Sequence, residues 1–476
     1  MFAFAILDAR LGKAFIARDR MGEKPLVYSF VDGELAFGSL VRAVLPFLPA
    51  DQRGLSPEGI DAYLAHRYIP APRTVYKRIE RLENAHYLAF DLGSRRLEKR
   101  RYWRPAPEEG SWLEALDESV RMRTIADRPL GVFLSGGVDS TVVASRLAAQ
   151  RLTSYRTYTA AFPGSGMDES ASAAETAAAL ALPNTPIPVP RSLEADFPRI
   201  VAALDEPFAD PSSFPTWYLA REVSREVKVV LAGDGGDELF AGYKRVAKHL
   251  RTAWRGKLSL PLVTRPSLTG GKLAAELAMD WRSAYSLRFS GFAPAQRAFL
   301  QERAKLPALV YWREPDAEGS RPIEELMAVD FANYLPEYIL RKSDLCTMAH
   351  GLEARAPFLD HRFVQRLLAL PAEKRYTDPP KLLLREAMDP RLPPDFFNRK
   401  KRGFNPPLGD WLRGGLARRF EGLGRRLEDA TSGQLGARPV DAFLAHYSAG
   451  AERLAEQVLQ LLILDESLAQ LSQVPH

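Results

Sequence analysis

The sequence predicts an α/β protein, with a doubly wound parallel sheet in its larger part, helices in its carboxy-terminal part and a smaller β-rich segment in front. Three observations predict this architecture. Apolar strands alternate with helical segments from about residue 112 onward, which is typical of parallel sheets with crossover helices. Two of these strands run directly into glycine-rich polar turns. The first hundred residues read as short strands, and the later chain has mostly helical spacing.

Length, charge and composition limit the function classes. The chain has 476 residues and 46% apolar residues, enough for two or three domains with well-developed cores. The net charge of +6 is small for this length, so we expect no nucleic-acid partner. The amino terminus lacks a basic leader, and no apolar run reaches about 18 residues, so we expect no membrane span and a cytoplasmic protein. The single cysteine, Cys346, rules out an internal disulfide, and the histidines show no zinc spacing.

Residues 1–104 are predicted to form the β-rich first domain. The expected strands lie at about 2–7, 14–17, 25–30 and 35–37, separated by polar turns. Ser56 and Pro57 form a helix start, with a capping hydroxyl followed by proline at the first helical position. Residues 105–111 have the composition of a linker. The second domain is therefore expected to span residues 112–476.

The second domain is organised around the segment Gly131–Ser140. An apolar strand at 130–134 is followed by a small-residue turn and then by a helix. Backbone N–H groups at such a turn lack internal partners and lie at the positive end of the helix dipole, which favours phosphate binding. Gly136 and Gly137 allow close approach of the backbone, and Ser135 and Ser140 add hydroxyl donors.

Asp139 would repel phosphate, so its presence indicates a metal ion between the carboxylate and the phosphates. The segment is not the G-x-x-x-x-G-K-[ST] loop of common ATPases. On the residues alone, a glycine turn that merely ends a strand remains an alternative.

A second polar cluster, residues 233–238, follows an apolar strand at 228–232. It contains Asp234, Asp237 and Glu238 among three glycines. Clustered carboxylates are unfavourable unless a cation is present, although a solvated acidic turn is an alternative. Since ligands bind at the carboxyl ends of parallel strands, Asp139 and Asp237 are expected to share Mg²⁺ bound to ATP.

These motifs resemble a known family. The segment Ser135–Ser140 is similar to the pyrophosphate loop of the ATP pyrophosphatases (adenine nucleotide alpha hydrolase-like proteins), which adenylate a substrate. Met1–Ala5 and Ala17–Leu26 resemble the back half of the class II (Ntn-type) glutaminase domain of glutamine-hydrolysing asparagine synthetases. The resemblance extends to about Trp411. The front half of that glutaminase domain, with its cysteine nucleophile, has no counterpart in this sequence.

The resemblance implies roles for individual residues. Ala232 departs from the family, which usually has serine there, so one nucleotide contact is in question. The loop at 204–212 looks like the substrate-side loop, although on its residues alone an acidic, proline-rich loop without a role in the site is the alternative. The basic run Arg399–Phe404 is either a solvated turn or a lid over phosphates. The residues assigned to binding ATP and pyrophosphate are Phe133, Ser135, Gly136, Gly137, Asp139, Ser140, Ala160, Ala232 and Gly233. Asp139 and Asp237 are assigned to binding the metal. Lys381, Asp234 and Glu353 are assigned to catalysis.

Two of these residues have alternatives from the sequence alone. Lys381 is assigned by the resemblance to the charge at the α-phosphate, but it would otherwise be read as the outer face of an amphipathic helix. Glu353 is assigned to the substrate with Asp234, but together with Arg355 and Asp360 it could equally form a salt-bridge network.

The resemblance implies an ATP-dependent amide ligase. Aspartate would be adenylated by ATP·Mg²⁺ to β-aspartyl-AMP and pyrophosphate, and ammonia would then displace AMP. Glutaminase activity is not expected from this chain alone, so ammonia would come from solution or from a separate glutaminase; a homodimer is a further possibility. The alternatives are a β-lactam synthetase or lasso-peptide-type cyclase, and a non-catalytic nucleotide-binding remnant. The β-lactam synthetases have tyrosine where Asp234 stands.

Overall fold

The computed structural model describes residues 1–151, 155–163, 168–252, 254–255, 266–303, 310–315, 321–393, 396 and 406–475. The basic run Arg399–Phe404 lies outside these residues. Among the described residues, no helix combines the length and the apolar character needed to cross a membrane.

The amino-terminal segment consists of two small antiparallel sheets and two helices. These elements are β1 (Ala3–Asp8), β2 (Lys13–Arg18), β3 (Val27–Val31), β4 (Glu34–Gly38), α1 (Val41–Val44), α2 (Pro57–His66), β5 (Glu80–Arg81), β6 (His86–Asp91) and β7 (Arg96–Arg101). The sheet orders are β1-β2-β6-β7 and β4-β3-β5. As predicted, Ser56 caps α2, because its hydroxyl accepts a hydrogen bond from the N–H of Gly59.

Strand β1 is the exposed edge of its sheet. Every residue from Ala3 to Leu7 is exposed, including Phe4, Ile6 and Leu7. Its other edge pairs antiparallel with β2, whose residues from Ile16 onward are buried. An apolar edge strand of this kind is unusual on a protein surface.

The second part of the chain contains a five-stranded parallel sheet. Its strands are β8 (Leu130–Phe133), β9 (Arg156–Ala161), β10 (Asn184–Pro188), β11 (Val229–Leu231) and β12 (Glu353–Arg355), in the order β10-β9-β8-β11-β12. All neighbouring pairs are parallel. The chain therefore winds outward in both directions from β8, and the predicted parallel sheet is confirmed.

Helices connect and cover this sheet. The helices up to β12 are α3 (Trp112–Arg123), α4 (Val138–Ala149), α5 (Ser170–Ala179), α6 (Phe197–Ala203), α7 (Ser213–Val223), α8 (Gly236–Leu239), α9 (Lys244–Leu250), α10 (Lys272–Ala278), α11 (Trp281–Ala284), α12 (Pro294–Leu300), α13 (Pro322–Val329) and α14 (Arg341–Met348). Between α13 and α14 the chain continues without a break as a π-helix, Asp330–Leu340, which contains Pro336.

The carboxy-terminal part is helical. Its α-helices are α15 (His361–Leu368), α16 (Ala372–Arg375), α17 (Leu408–Arg413), α18 (Leu423–Ala430), α19 (Ala437–Ser448) and α20 (Ala455–Leu471). Short 3₁₀ turns occur at Leu45–Phe47, Ala50–Gln52, Tyr285–Arg288, Pro357–Leu359, Leu382–Ala387, Gly415–Phe420 and Glu452–Leu454.

Apolar packing and buried ion pairs join the amino-terminal segment to the rest. Tyr63 of α2 shares one apolar cluster with residues of α20, and its hydroxyl donates to the carbonyl oxygen of Gln460 at 2.7 Å. The buried Glu337 carboxylate lies 3.3 Å from the guanidinium of Arg18 and 3.1 Å from that of Arg81. Four arginines surround Glu337, so its pKa is lowered although burial alone would raise it. These contacts fix the amino-terminal segment against the π-helix.

Candidate active site

A cavity of about 670 Å³ opens at the carboxyl ends of β8, β9 and β11. This is the edge at which parallel sheets bind ligands. It is also where the sequence predicted the site, because all but three of the predicted site residues line it. The lining residues among those predicted are Phe133, Ser135, Gly137, Asp139, Ser140, Ala160, Ala232, Gly233, Asp234 and Asp237.

The predicted phosphate loop joins β8 to α4, with Gly137 preceding the first helical residue. The N–H of Ser135 donates to the hydroxyl of Ser140 at 3.1 Å, and the N–H of Gly137 donates to the hydroxyl of Ser135 at 3.2 Å. The two hydroxyls lie 3.0 Å apart. The loop is thus held by its own serines, and the start of a twelve-residue helix faces the cavity.

Glycine is required where the two polar turns meet. A Cβ on Gly233 would lie 2.7 Å from the backbone nitrogen of Ser140. A Cβ on Gly236 would lie 2.6 Å from Cγ of Asp139. The absence of side chains at these positions therefore lets the turn after β11 approach the loop after β8. Gly136 does not line the cavity; a Cβ there would lie 3.2 Å from the hydroxyl of Ser172.

Lys381 lies between the two predicted metal-binding carboxylates. Its Nζ is 2.5 Å from Oδ2 of Asp139 and also forms an ion pair with Asp237. The lysine is buried, so it does not lie on the outer face of an amphipathic helix. It precedes the 3₁₀ turn Leu382–Ala387 and has a left-handed φ of 69°. Such a φ is unusual for a residue other than glycine. The backbone therefore directs this ammonium inward.

The electrostatic balance of this cluster favours a charged lysine. Burial by itself lowers the pKa of Lys381, but the attraction of Asp139 and Asp237 outweighs it and the pKa is raised. Both carboxylates hold one cation at a common position. Because Mg²⁺ in nucleotide sites usually takes one or two protein carboxylates together with phosphate oxygens, this pair fits the predicted metal. Among the described residues, no group of three or more metal-ligating side chains occurs.

Asp234 faces the same cavity and is embedded in a second network. Its carboxylate accepts a hydrogen bond from Ser343 at 2.8 Å. Burial raises the pKa of Asp234, while Lys342 and Ser343 oppose the rise. The Nζ of Lys342 in turn lies 3.4 Å from the carboxylate of Asp210 and 3.0 Å from the hydroxyl of Ser212. Asp234 is thereby joined to the predicted substrate-side loop.

Glu353 does not lie in this cavity, contrary to the expectation that it faces the substrate with Asp234. It is the first residue of β12, paired with Val229 at the start of β11, so it lies away from the strand ends that form the site. Its carboxylate accepts a hydrogen bond from Nε of Arg355 at 2.6 Å and lines a separate cavity. Glu353 lies outside the cavity because it begins the short strand β12. Its contact with Arg355 favours the alternative that it belongs to a salt-bridge network.

Several cavity residues had no role in the sequence-based prediction. Lys342 and Ser343 extend from α14, and Tyr334 and Tyr338 from the π-helix. Arg67 comes from the amino-terminal segment. None of them belongs to a local motif, so only the fold brings them together; the single signal was the segment 341–344, in which three of the four residues are charged.

Comparison with known proteins identifies the family. Residues 111–471 match the family model described as asparagine synthase, and residues 1–103 match that of a glutamine amidotransferase domain. The chain belongs to the asparagine synthase family. It is accordingly an enzyme, an ATP-dependent ligase that forms amides, with ATP as a substrate.

Individual members of the asparagine synthase family are similar over most of the chain. A putative glutamine-hydrolysing asparagine synthetase of Mycobacterium tuberculosis is 32% identical over 458 residues, covering 87% of this chain and 68% of the relative. Asparagine synthetase 1 of Bacillus subtilis is 29% identical over 444 residues, with the same coverages. A protein of Penicillium rubens named amidase chyE is 27% identical over 494 residues, covering 89% and 72%.

Proposed function

We propose that this chain is an asparagine synthetase that adenylates aspartate and amidates it with ammonia. The observation that carries the proposal is the convergence of Lys381, Asp139 and Asp237 beside the loop after β8. Carboxylates that hold one cation next to a helix start form a site for a nucleotide triphosphate and its metal. We also propose the ATP-pyrophosphatase type of fold for residues 112–476, with 105–111 as the linker to a partial glutaminase domain at 1–104.

In this proposal the loop after β8 binds the phosphates of ATP. The hydroxyls of Ser135 and Ser140 and the backbone of Gly136 and Gly137 take the pyrophosphate portion. The small side chain of Ala160 and the neighbours Phe133, Ala232 and Gly233 border the nucleotide. The position of both serines in the cavity lining and the start of α4 beside them support this assignment.

Mg²⁺ would be held by Asp139 and Asp237, and when bound it would neutralise phosphate charge. Lys381 supplies a second positive charge from the protein itself. Because this buried ammonium lies beside the loop after β8, it is already close to the position at which charge develops at the α-phosphate. Lys381 is therefore proposed as the principal catalytic residue, and Asp234 as a substrate-facing residue. Glu353 is not included.

The reaction has two balanced steps. The side-chain carboxylate of aspartate attacks the α-phosphorus, the bond to the β-phosphate oxygen breaks, and pyrophosphate leaves. Ammonia then attacks the acyl carbon of β-aspartyl-AMP, loses a proton, and AMP leaves with the electron pair of the acyl–oxygen bond. The protein contributes mainly by holding the reactants together and by balancing charge.

The nitrogen source in this proposal is ammonia and not glutamine hydrolysis by this sequence. Cys346 is the one cysteine of the chain, and it is fully buried. Burial raises the pKa of its thiol to about 12, so a thiolate nucleophile is strongly disfavoured. Ammonia would come from solution or from a separate glutaminase. The exposed apolar edge of β1 supports contact with another polypeptide, either that glutaminase or a second copy of the chain.

The deciding experiment measures AMP release with Mg·ATP and aspartate, once with ammonium and once with glutamine. The proposal expects AMP and asparagine with ammonium and neither with glutamine. AMP release that requires a peptide or a β-amino acid would indicate the cyclase alternatives. No AMP with any carboxylate, despite ATP binding, would indicate a nucleotide-binding remnant.

A further inference from the structure

Arg67 brings the amino-terminal segment into the wall of the catalytic cavity. It directly follows α2 and has a φ of 71°, in the left-handed region that residues other than glycine seldom adopt. Its carbonyl oxygen accepts a hydrogen bond from the N–H of Ala209 at 2.7 Å. That bond fixes the end of α2 to the loop that carries Asp210. Strained residues of this kind, held by their surroundings, are often found at functional sites.

The guanidinium of Arg67 is incompletely paired. Its Nη2 lies 2.5 Å from Oε2 of Glu456 and 3.4 Å from the carbonyl oxygen of Ser290. Its Nε is buried and has no hydrogen-bond partner within the described part of the chain. The carboxylate of Glu456 is 51% exposed, and ion pairs with exposed partners contribute little. A buried donor without a partner is costly, so a carboxylate that draws this guanidinium into the cavity and pairs with it gains free energy.

Charges alternate along the cavity wall from the reacting centre to Arg67. Asp234 interacts with Lys342, Lys342 with Asp210, and Asp210 with Arg67. A wall of alternating charge matches a ligand that carries both signs. Free α-amino acids have an ammonium and a carboxylate attached to the same carbon atom.

We propose that Arg67 binds the α-carboxylate of the acceptor amino acid, so that the acceptor is a free amino dicarboxylate. This inference rests on the proposed function, because it assumes that a second carboxylate reacts with ATP. A guanidinium pairs with a carboxylate through two parallel N–H donors, and an aspartate within a peptide offers no free α-carboxylate. The amino-terminal segment is then part of the acceptor site.

The test compares aspartate with β-alanine, which is aspartate without its α-carboxylate. AMP release is measured for the wild type and for R67Q, with ammonium and Mg·ATP. In the wild type, kcat/KM for aspartate should exceed that for β-alanine by about tenfold or more, the usual effect of one charged hydrogen-bonded pair. In R67Q the two values should become similar, mainly through a higher KM for aspartate, while the KM for ATP stays unchanged.

Two controls separate binding from structure. R78Q changes an exposed arginine of the same segment and should leave all constants unchanged. E456Q removes the ion pair but keeps Arg67, and its KM for aspartate should be equal to or below that of the wild type. An E456Q variant that behaves like R67Q would assign Arg67 a structural role and overturn the inference.

The inference and the proposed function fail differently. If the wild type releases AMP with aspartate but R67Q keeps the same preference over β-alanine, only the role of Arg67 is wrong. Calorimetric binding of aspartate to the full chain provides a readout without turnover. If the wild type releases no AMP yet binds aspartate more tightly than R67Q does, the binding role of Arg67 is supported and the proposed reaction is wrong. Equal binding of aspartate and β-alanine by the wild type would overturn the inference.

Discussion

The Nζ of Lys381 lies 2.5 Å from Oδ2 of Asp139, although the two residues are 242 positions apart in the sequence. Asp237 joins them from a third segment. One ammonium thus lies between two carboxylates where the phosphate loop meets α4. The charge balance of the site is therefore set by groups from three segments, which no single local motif contains.

Lys381→Ala should lower the rate of AMP release by about 100-fold or more, as expected when a preorganised charge is removed from a reacting centre. Lys381→Arg keeps the charge with a different shape and should retain part of the activity. Chromatographic measurement of AMP provides the rates, with the exposed Lys374→Ala as control. Unchanged turnover in Lys381→Ala would remove this residue from the mechanism.

Lys381→Ala should also make Mg²⁺ more stabilising than it is in the wild type. Without the ammonium, Asp139 and Asp237 repel each other, and a divalent cation relieves this repulsion. The measurement is the shift of the thermal midpoint on adding MgCl₂, in both proteins without nucleotide. The double variant Lys381→Ala/Asp237→Asn lacks one of the two carboxylates, so its thermal midpoint should not show the additional increase with MgCl₂ expected for Lys381→Ala. Equal shifts in all three proteins would argue against a shared cation position.

Gly236→Ala should reduce activity at least about tenfold with little loss of stability, because the new methyl group collides with the carboxylate of Asp139 and displaces it. Gly236 begins α8, so its backbone tolerates alanine. Gly54→Ala is the matched control, since its new Cβ meets only the Lys77 side chain at 3.9 Å. Comparing AMP release with thermal midpoints separates the two effects. Full activity in Gly236→Ala would show that the position of Asp139 is not critical.

The stability of the chain should depend on pH through Glu23. Burial raises the pKa of Glu23 from 4.5 to about 7, with Arg123 opposing the rise. The folded state therefore holds a proton that the unfolded chain releases, so this stabilisation is complete below pH 4.5 and is lost as pH rises to about 7. The size is on the order of 3 kcal/mol. Glu23→Gln should flatten the change in urea midpoint across this range, whereas the exposed Glu34→Gln should not.

The apolar edge of β1 should promote association. Ile6 is 56% exposed on an edge strand that lacks charged residues before Asp8. Ile6→Lys should reduce concentration-dependent association in sedimentation velocity, because lysine on an edge strand opposes pairing. Leu273→Lys, at a similarly exposed apolar residue of α10, should have no such effect. Identical sedimentation of the two variants would contradict a role for the edge.

The central strands were predictable because an apolar run that ends at a glycine-rich turn is typical of a short buried strand. β8 and β11 lie within one or two residues of the predicted limits. β10 was not predicted, since its two prolines mask an edge strand. β12 has three residues with charged ends, so no apolar run marks it, and its geometry removed Glu353 from the predicted site.

The candidate site was predictable where chemistry is concentrated in short motifs, as in the two glycine-rich turns. Arg67 and Lys342 could not be found in this way, because each is a single charge whose partners lie in other segments. Their meaning depends on tertiary contacts and not on spacing.

The π-helix has a consequence for the alignment of side chains. Tyr334, Tyr338 and Lys342 are spaced by four residues and all line the same cavity. In an α-helix four residues overshoot one full turn, whereas in the wider π-helix they fall short of it. The step from 334 to 338 lies within the π-helix and falls short of a full turn, whereas the step from 338 to 342 passes into α14, whose tighter pitch limits any further shortfall. The change from π-helix to α-helix therefore keeps the two phenols and the ammonium on the side of the helix that faces the cavity. In a helix of uniform pitch, residues four apart would turn progressively away from it.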